Sequence, residues 1–331
     1  SDASGMNLLD VPRRQWSDEI LNKLDIDPAL LGRMYESVDV TGTVTAEAAA
    51  LTGLAEGTPV VGGAGDNAAA AVGTGVVEEG KAFTTLGTSG VVFAHSDRVT
   101  IDPQGRVHTF CSAVPGCWTV MSCTLAAGQS LRWLRDTCCA GEVAEAAKQG
   151  VDPYELMTAL AEKTPIGADG LLFLPYLMGE RSPHNNPDAR GTFIGLTMDT
   201  TREDMTQAVL EGVAFAIRDS FEVAKSLGIQ IERTKICGGG AKSPLWRRMI
   251  ANVLNIKVDR IESEEGPALG GAMLAAVACG VFSSVEEAAE KIVRVTETIE
   301  PEPELVEKYE RQYQKFAKIY PTVKDLFTEL L

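Results

Sequence analysis

Three short apolar runs in this chain each end on a cluster of glycines. Thr58-Pro59-Val60-Val61 runs into Gly62-Gly63-Ala64-Gly65-Asp66-Asn67, Lys81–Leu86 into Gly87-Thr88-Ser89-Gly90, and Ile236-Cys237 into Gly238-Gly239-Gly240. A strand that stops on glycine can turn sharply and can bring several backbone N–H groups close to a ligand. After the first and third clusters the pattern becomes helical. Ala68–Val72 reads as a small-residue helix, and Ser243-Pro244 supplies an N-cap and a first-turn proline for a helix reaching Leu254. The middle cluster joins Lys81–Leu86 to Val91–His95 as a hairpin. Strand, tight turn and helix alternating in this way predict an α/β fold.

The rest of the chain fits that class. Helices are expected around Trp16–Leu24 and Thr45–Leu51, and the texture changes to dense strand and turn at Thr58. That change predicts a division into residues 1–57 and 58–331. Trp118–Met121 reads as a strand leading into a helix that carries Leu125, Leu131 and Leu134. Leu171–Leu177 reads as a buried strand, followed by a polar loop over Gly179–Gly191. Thr201-x-x-Asp204 is a capping box opening a long helix. Its apolar residues Met205, Val209, Val213, Ile217 and Phe221 recur every four positions, and Gly228 ends it. Ile256–Ile261 is a further strand, Pro267 opens a helix through Ala268–Cys279, and the charged tail from Glu286 is expected to be helical.

Composition narrows the function. A net charge of -16 with no basic run argues against a nucleic-acid partner. Any phosphate ligand must then be held by backbone N–H groups and a metal rather than by a cationic surface. No apolar stretch approaches the roughly 20 residues of a membrane helix, and no secretory leader pattern is visible, so the cytoplasm is the expected location. The seven cysteines include no CxxC pair, and His95, His108 and His184 lack metal-ligand spacing. Free thiols in a reducing compartment and no hydrolase-type metal centre are the expectation.

Each glycine cluster also has a plain structural reading, because any α/β protein needs glycine at strand ends. None is a Walker A loop or a GxGxxG dinucleotide loop. Asp66 either caps the Ala-rich helix after it or accepts the proton of an attacking hydroxyl, the one covalent service that phosphoryl transfer to an alcohol requires. Gly239 and Gly240 either form a turn or make a flat platform for a nucleotide, with the Ser243 hydroxyl beside it.

As a set these segments resemble the FGGY family of carbohydrate kinases. Gly63-Ala64-Gly65-Asp66-Asn67-Ala68 is similar to the family's catalytic-aspartate motif, and Leu86-Gly87-Thr88-Ser89-Gly90 to its phosphate-binding hairpin. Gly238-Gly239-Gly240-Ala241-Lys242-Ser243-Pro244-Leu245-Trp246 resembles the adenosine motif. Gly191-Thr192-Phe193-Ile194-Gly195-Leu196, with Ala208-Val209-Leu210-Glu211 following, matches the second family signature. Pro175-Tyr176-Leu177 with Gly179-Glu180-Arg181-Ser182-Pro183 is similar to the branch that acts on xylulose.

The resemblance implies an actin-like, ribonuclease-H-like ATPase fold, here the C-terminal domain plus the end of the N-terminal domain. It implies ATP and Mg2+ as cofactors and a small-molecule sugar as partner, with a homodimer left open. Carried over by residue, Asp66 is the catalytic base and metal-site carboxylate, Asn67 contacts the sugar, and Thr88 faces the phosphates. Gly239, Gly240 and Ser243 lie against the adenosine. Trp133 either lines the nucleotide pocket or is a core residue, and Glu180 with Arg181 either reaches the cleft or forms an ion pair. Ribulose, glycerol or gluconate acceptors, or nucleotide binding without catalysis, are the competing readings. The family's first phosphate loop, Asp-x-Gly-Thr, does not precede Asp66, so the chain is expected to be part of a longer protein and inactive alone.

Overall fold

The computed structural model describes residues 1–263 and 265–330. Seven strands form its one large sheet: β1 (Lys81–Leu86), β2 (Gly90–Ser96), β3 (His108–Cys111), β4 (Trp118–Thr124), β5 (Arg233–Cys237), β6 (Lys257–Ile261) and β7 (Val295–Ile299). Their spatial order is β7-β6-β5-β1-β2-β4-β3. β1, β2 and β4 make an antiparallel meander, to which β3 adds an edge. β5 and β6 then extend the sheet in parallel on the far side of β1. This is the arrangement expected of an actin-like, ribonuclease-H-like fold. The two glycine turns at the ends of β1 and β5 therefore sit side by side.

β1 is buried on both faces, and its side chains alternate between two cores. Ala82 and Leu86 pack toward a long helix over Arg202–Ser226, which presents Val209, Val213 and Ile217 at full burial. The predicted capping box is formed, with Thr201 and Asp204 each accepting from the other's backbone N–H. On the opposite face, Phe83 stacks on Phe93 of β2 with ring centroids 5.1 Å apart. Ala71 of α1 (Asp66–Gly73) packs over this pair.

Helix α1 crosses α2 (Gly266–Ala278) at unusually short range. A Cβ on Gly73 would lie 1.9 Å from the Gly266 carbonyl oxygen, and one on Gly270 would lie 1.8 Å from that of Ala69. Only glycine fits at both positions, so the helix that begins at Asp66 is held in one place.

Two edges depart from expectation. The tail is not helical throughout: Val295-Thr296-Glu297-Thr298-Ile299 alternates β-branched residues and pairs antiparallel with β6. Leu172–Leu174 is a shorter strand than Leu171–Leu177, and it pairs with Thr192–Ile194 outside the main sheet. Before β1, residues 1–61 form short elements, including strand pairs Leu9–Asp10 with Gln15–Trp16 and Val40–Thr43 with Pro59–Val61. Among the described residues no helix is long and apolar enough to cross a membrane.

Candidate active site

The three glycines after β5 have three different reasons. Gly238 adopts φ +87°, and a Cβ there would lie 2.9 Å from the Leu86 carbonyl. A Cβ on Gly240 would press on Leu86 Cβ and Trp246 Cζ3, both at 2.8 Å. Gly239 has ordinary φ and nothing within 4 Å of where its Cβ would stand. The first two are therefore required by turn and packing, while the third leaves open space. Ser243 follows as N-cap of the helix Pro244–Leu254, its Oγ accepting from Trp246 N at 3.3 Å. Buried Trp246 donates from Nε1 to the Leu210 carbonyl at 3.1 Å, anchoring this turn to the long helix.

The hairpin turn between β1 and β2 faces the same space. Its carbonyls are taken by the start of the helix Gly128–Cys138: Gly128 N–H donates to Gly87 O at 2.8 Å and Ala127 N–H to Thr88 O at 3.0 Å. A Cβ on Gly128 would lie 2.5 Å from Gly87 O, so glycine is needed for this docking. Together the two turns wall a cavity of about 480 Å3, within the range of small-molecule sites. Thr88, Gly239, Gly240 and Ser243, four of the residues singled out from the sequence, line it together.

Three further lining residues were not singled out from sequence. Arg132 and Lys242 bring positive charge to the cavity, which Asp152 and Glu155 on the same wall balance, and Tyr154 brings an aromatic ring. Trp133, one residue from Arg132, lies outside the cavity lining. It packs with Phe173, ring centroids 6.1 Å apart, and Phe193, 6.4 Å apart, which fits its reading as a core tryptophan. Helical phase separates the two neighbours, and the apolar pattern of that helix gave the phase no clear signal.

Asp66 is the first residue of α1, and the N-cap is Gly65 rather than Asp66. Its Oδ1 accepts from Asn67 N at 2.7 Å and from Asn67 Nδ2 at 3.2 Å. Oδ2 has no partner among the described residues, and the side chain is exposed. A cap would accept from the second or third helical N–H, so the capping reading does not describe this carboxylate. The turn before it is tight: a Cβ on Gly62 would meet Glu36 O at 2.5 Å, and one on Gly65 would meet Asp2 Oδ1 at 2.3 Å. Asp2 thus brings a second carboxylate to the same turn. Two exposed carboxylates offer the oxygen donors that Mg2+ takes, and the empty space at Gly239 suits a nucleotide, so the residues present fit both cofactors. Asp66 and Asn67 do not line the cavity between the hairpin and Gly239.

Glu180 forms no ion pair with Arg181. It is buried and accepts from Thr124 Oγ1 at 2.6 Å, Arg181 N at 2.7 Å and Leu125 N at 3.2 Å. It ties the loop after residue 179 to the end of β4. Burial pushes its carboxyl up to about 7. Burial also raises Glu211 and Asp219 to about 7. Glu211 Oε1 accepts from Gly167 N and Gln207 Nε2, whereas Oε2 has no partner among the described residues.

Against known proteins, the model of the FGGY family of carbohydrate kinases, C-terminal domain, matches residues 82–279, and the N-terminal domain model of the same family matches residues 1–73. A xylulose kinase of Bacillus subtilis is 38% identical over 330 residues, covering 100% of this chain and 64% of that protein. A gluconokinase of Bacillus licheniformis is 32% identical, covering 99% of this chain and 64% of its own length. The crystal structure of xylulose kinase from Rhodospirillum rubrum superposes with TM-score 0.88 at 34% identity, over 97% of this chain and 63% of that one. The chain therefore spans about 64% of the length of these curated relatives.

Proposed function

Because the chain belongs to the FGGY family of carbohydrate kinases, we propose that the protein transfers the γ-phosphoryl group of ATP to a ketopentose hydroxyl, that of D-xylulose, with ribulose, glycerol and gluconate as the alternative acceptors. The observation that carries this reading is the cavity between the hairpin at Thr88 and the turn at Gly239, where a single glycine is left with nothing opposite its Cβ position. A base or ribose can lie flat on Gly239, with Ser243 beside it. The hairpin turn then faces the phosphates, with Arg132 and Lys242 the cations available to them in a lining that also holds Asp152 and Glu155.

Asp66 is the general base. Asn67 holds Oδ1 with two N–H groups, so the carboxylate is fixed in orientation while Oδ2 is left to accept the hydroxyl proton. The glycine contacts between α1 and α2 keep that oxygen in place, which is what positioning catalysis requires. Asp66 and Asp2 would hold Mg2+, whose chemistry there would be to offset charge on the transferred phosphoryl group. The whole protein is read as a cytoplasmic enzyme acting on a free sugar.

The similarity to xylulose kinases favours xylulose, and the gluconokinase keeps an aldonic acid as the main competitor. The test is a coupled assay of ADP release by the full-length protein with ATP, Mg2+ and a panel of D-xylulose, D-ribulose, glycerol and gluconate. We expect the highest kcat/KM with D-xylulose. Sugar-independent ATP hydrolysis, with no acceptor stimulating it, would refute the kinase reading.

A further inference from the structure

At the end of the sheet away from the glycine hairpin, three metal-ligating side chains of different kinds meet. In the pairing of β2 with β4, His95 stands opposite Thr119 and Ser96 opposite Trp118. The same register continued by one residue sets Asp97 against Cys117. His95 Nε2 lies 3.0 Å from Asp97 Oδ1, and Cys117 Sγ lies 3.8 Å from the same oxygen. The three donor atoms all lie within 4.8 Å of one another. A tetrahedral zinc ion with ordinary bond lengths would separate its N, O and S donors by about 3.3–3.6 Å. To hold such an ion the His95–Asp97 edge would expand slightly, the Asp97–Cys117 edge would contract slightly, and the His95–Cys117 edge, within 4.8 Å, would close to about 3.5 Å.

We propose that His95, Asp97 and Cys117 form a binding site for a borderline-soft divalent cation of the zinc type, with solvent completing the tetrahedron. One imidazole, one carboxylate and one thiolate are a donor set for Zn2+ rather than for Mg2+, which prefers oxygen alone. The site is open on one side, since Asp97 is 61% exposed in its side chain whereas that of His95 is 0% exposed. It stands apart from the nucleotide cavity: β2 runs from Gly90 beside the hairpin to Ser96 beside this cluster, a strand length of roughly 20 Å. It does not depend on the kinase reading.

The local chemistry sets the strength and consequence of binding. Burial, together with Asp97 and Glu286, pushes the Cys117 thiol up, and Arg14 only partly opposes this. Binding releases the thiol proton, and a cation on Nε2 replaces the contact that this nitrogen now makes with Asp97 Oδ1. A metal-bound imidazole would carry its ring proton on Nδ1, which has no acceptor among the described residues, so no outer partner holds this ring for the metal. Cys117 also accepts from Arg14 through its backbone carbonyl, and Arg14 stacks on Trp118 with its guanidinium 4.6 Å from the ring. Metal binding would thus clamp the ends of β2 and β4 where the N-terminal segment docks.

Cobalt(II) titration of the reduced full-length protein tests this, read by thiolate-to-cobalt charge-transfer absorption. A band that forms in the wild type, disappears in Cys117→Ser and persists in Cys138→Ser is the expected result. Asp97→Asn, at an exposed position that leaves the fold intact, should weaken cobalt binding by at least the ~10-fold that loss of an outer-shell partner costs. Zn2+ should displace the cobalt and raise the unfolding temperature of the wild type but not of Cys117→Ser. Absence of the band, or its survival in Cys117→Ser, would overturn the proposal. Equal binding by wild type and Asp97→Asn would do the same.

Discussion

The turn at Gly62–Asp66 and the turn at Gly238–Gly240 are both built from glycine, yet they use it differently. At Gly238–Gly240, two glycines are filled from behind by Leu86 and Trp246 and one opens on a walled cavity. At Gly62–Gly65, the missing side chains make room for Glu36 and Asp2 from the N-terminal segment, and the group proposed as the base is the exposed carboxylate that follows. One turn offers shape and the other offers a charge. Glycine content alone cannot separate them; what stands opposite each absent Cβ does.

The contrast predicts that the charge and the shape fail in different ways. In the full-length protein, Asp66→Asn should lower kcat by about 10²–10⁴ while leaving the apparent ATP constant nearly unchanged. Asn keeps the acceptor for Asn67 but cannot take a proton. Near-normal turnover of the folded variant would reduce Asp66 to a surface residue at a helix start.

A second comparison is between Asp66 and the buried carboxyls. Glu211 has a folded value of about 7, raised by burial from 4.5. A carboxyl with a raised folded value stabilises the native state when protonated, and that stability is lost as pH rises from about 4.5 through about 7. Glu211→Gln should therefore flatten the decline in unfolding temperature between pH 5 and 8, with a gain on the order of 2–3 kcal/mol at the alkaline end. Glu180 and Asp219, with folded values of about 7, leave a residual slope in that variant. An unchanged slope would mean that Glu211 is not the group titrating.

The shape of the Gly238–Gly240 turn can be probed residue by residue. Gly240→Ala should destabilise by about 1–3 kcal/mol, because its Cβ has no room beside Leu86 and Trp246. Gly239→Ala should stay within about 0.5 kcal/mol of wild type, and Gly239→Val should raise the apparent ATP constant without a matching loss of stability. Equal destabilisation at both positions, measured by thermal unfolding, would erase the distinction between packed and open glycine.

Much of the fold was legible because local signals agree with it. Lys81–Leu86, the Thr201 capping box and the Ser243-Pro244 start all appear where capping and periodicity put them. The edge strands β3 and β7 were not legible, since an edge strand is defined by a distant partner more than by its own pattern. The roles of the candidate site residues were legible only as a set. Deciding between Arg132 and Trp133, or among Gly238, Gly239 and Gly240, depends on helical phase and on atoms far away in sequence. In the His95, Asp97 and Cys117 cluster only the first two are near in sequence, and Cys117 is brought to them by β2–β4 register.

The smallest expected effect concerns Ser243, where shape and local structure meet in one hydroxyl. Its Oγ caps the helix Pro244–Leu254 through Trp246 N at a long 3.3 Å, and the residue also lines the cavity. Loss of an N-cap costs about 1 kcal/mol, so Ser243→Ala should lower the unfolding temperature slightly in the absence of ligand. Ser243→Asn keeps a capping oxygen but places a larger group at the cavity wall. If Ser243 serves the nucleotide as well as the helix, Ser243→Asn should retain stability yet raise the apparent ATP constant several-fold, and Ser243→Ala should raise both costs together. A capping role alone predicts that Ser243→Asn behaves as wild type in both measurements, and ATP titrations followed by thermal unfolding of the two variants separate the cases.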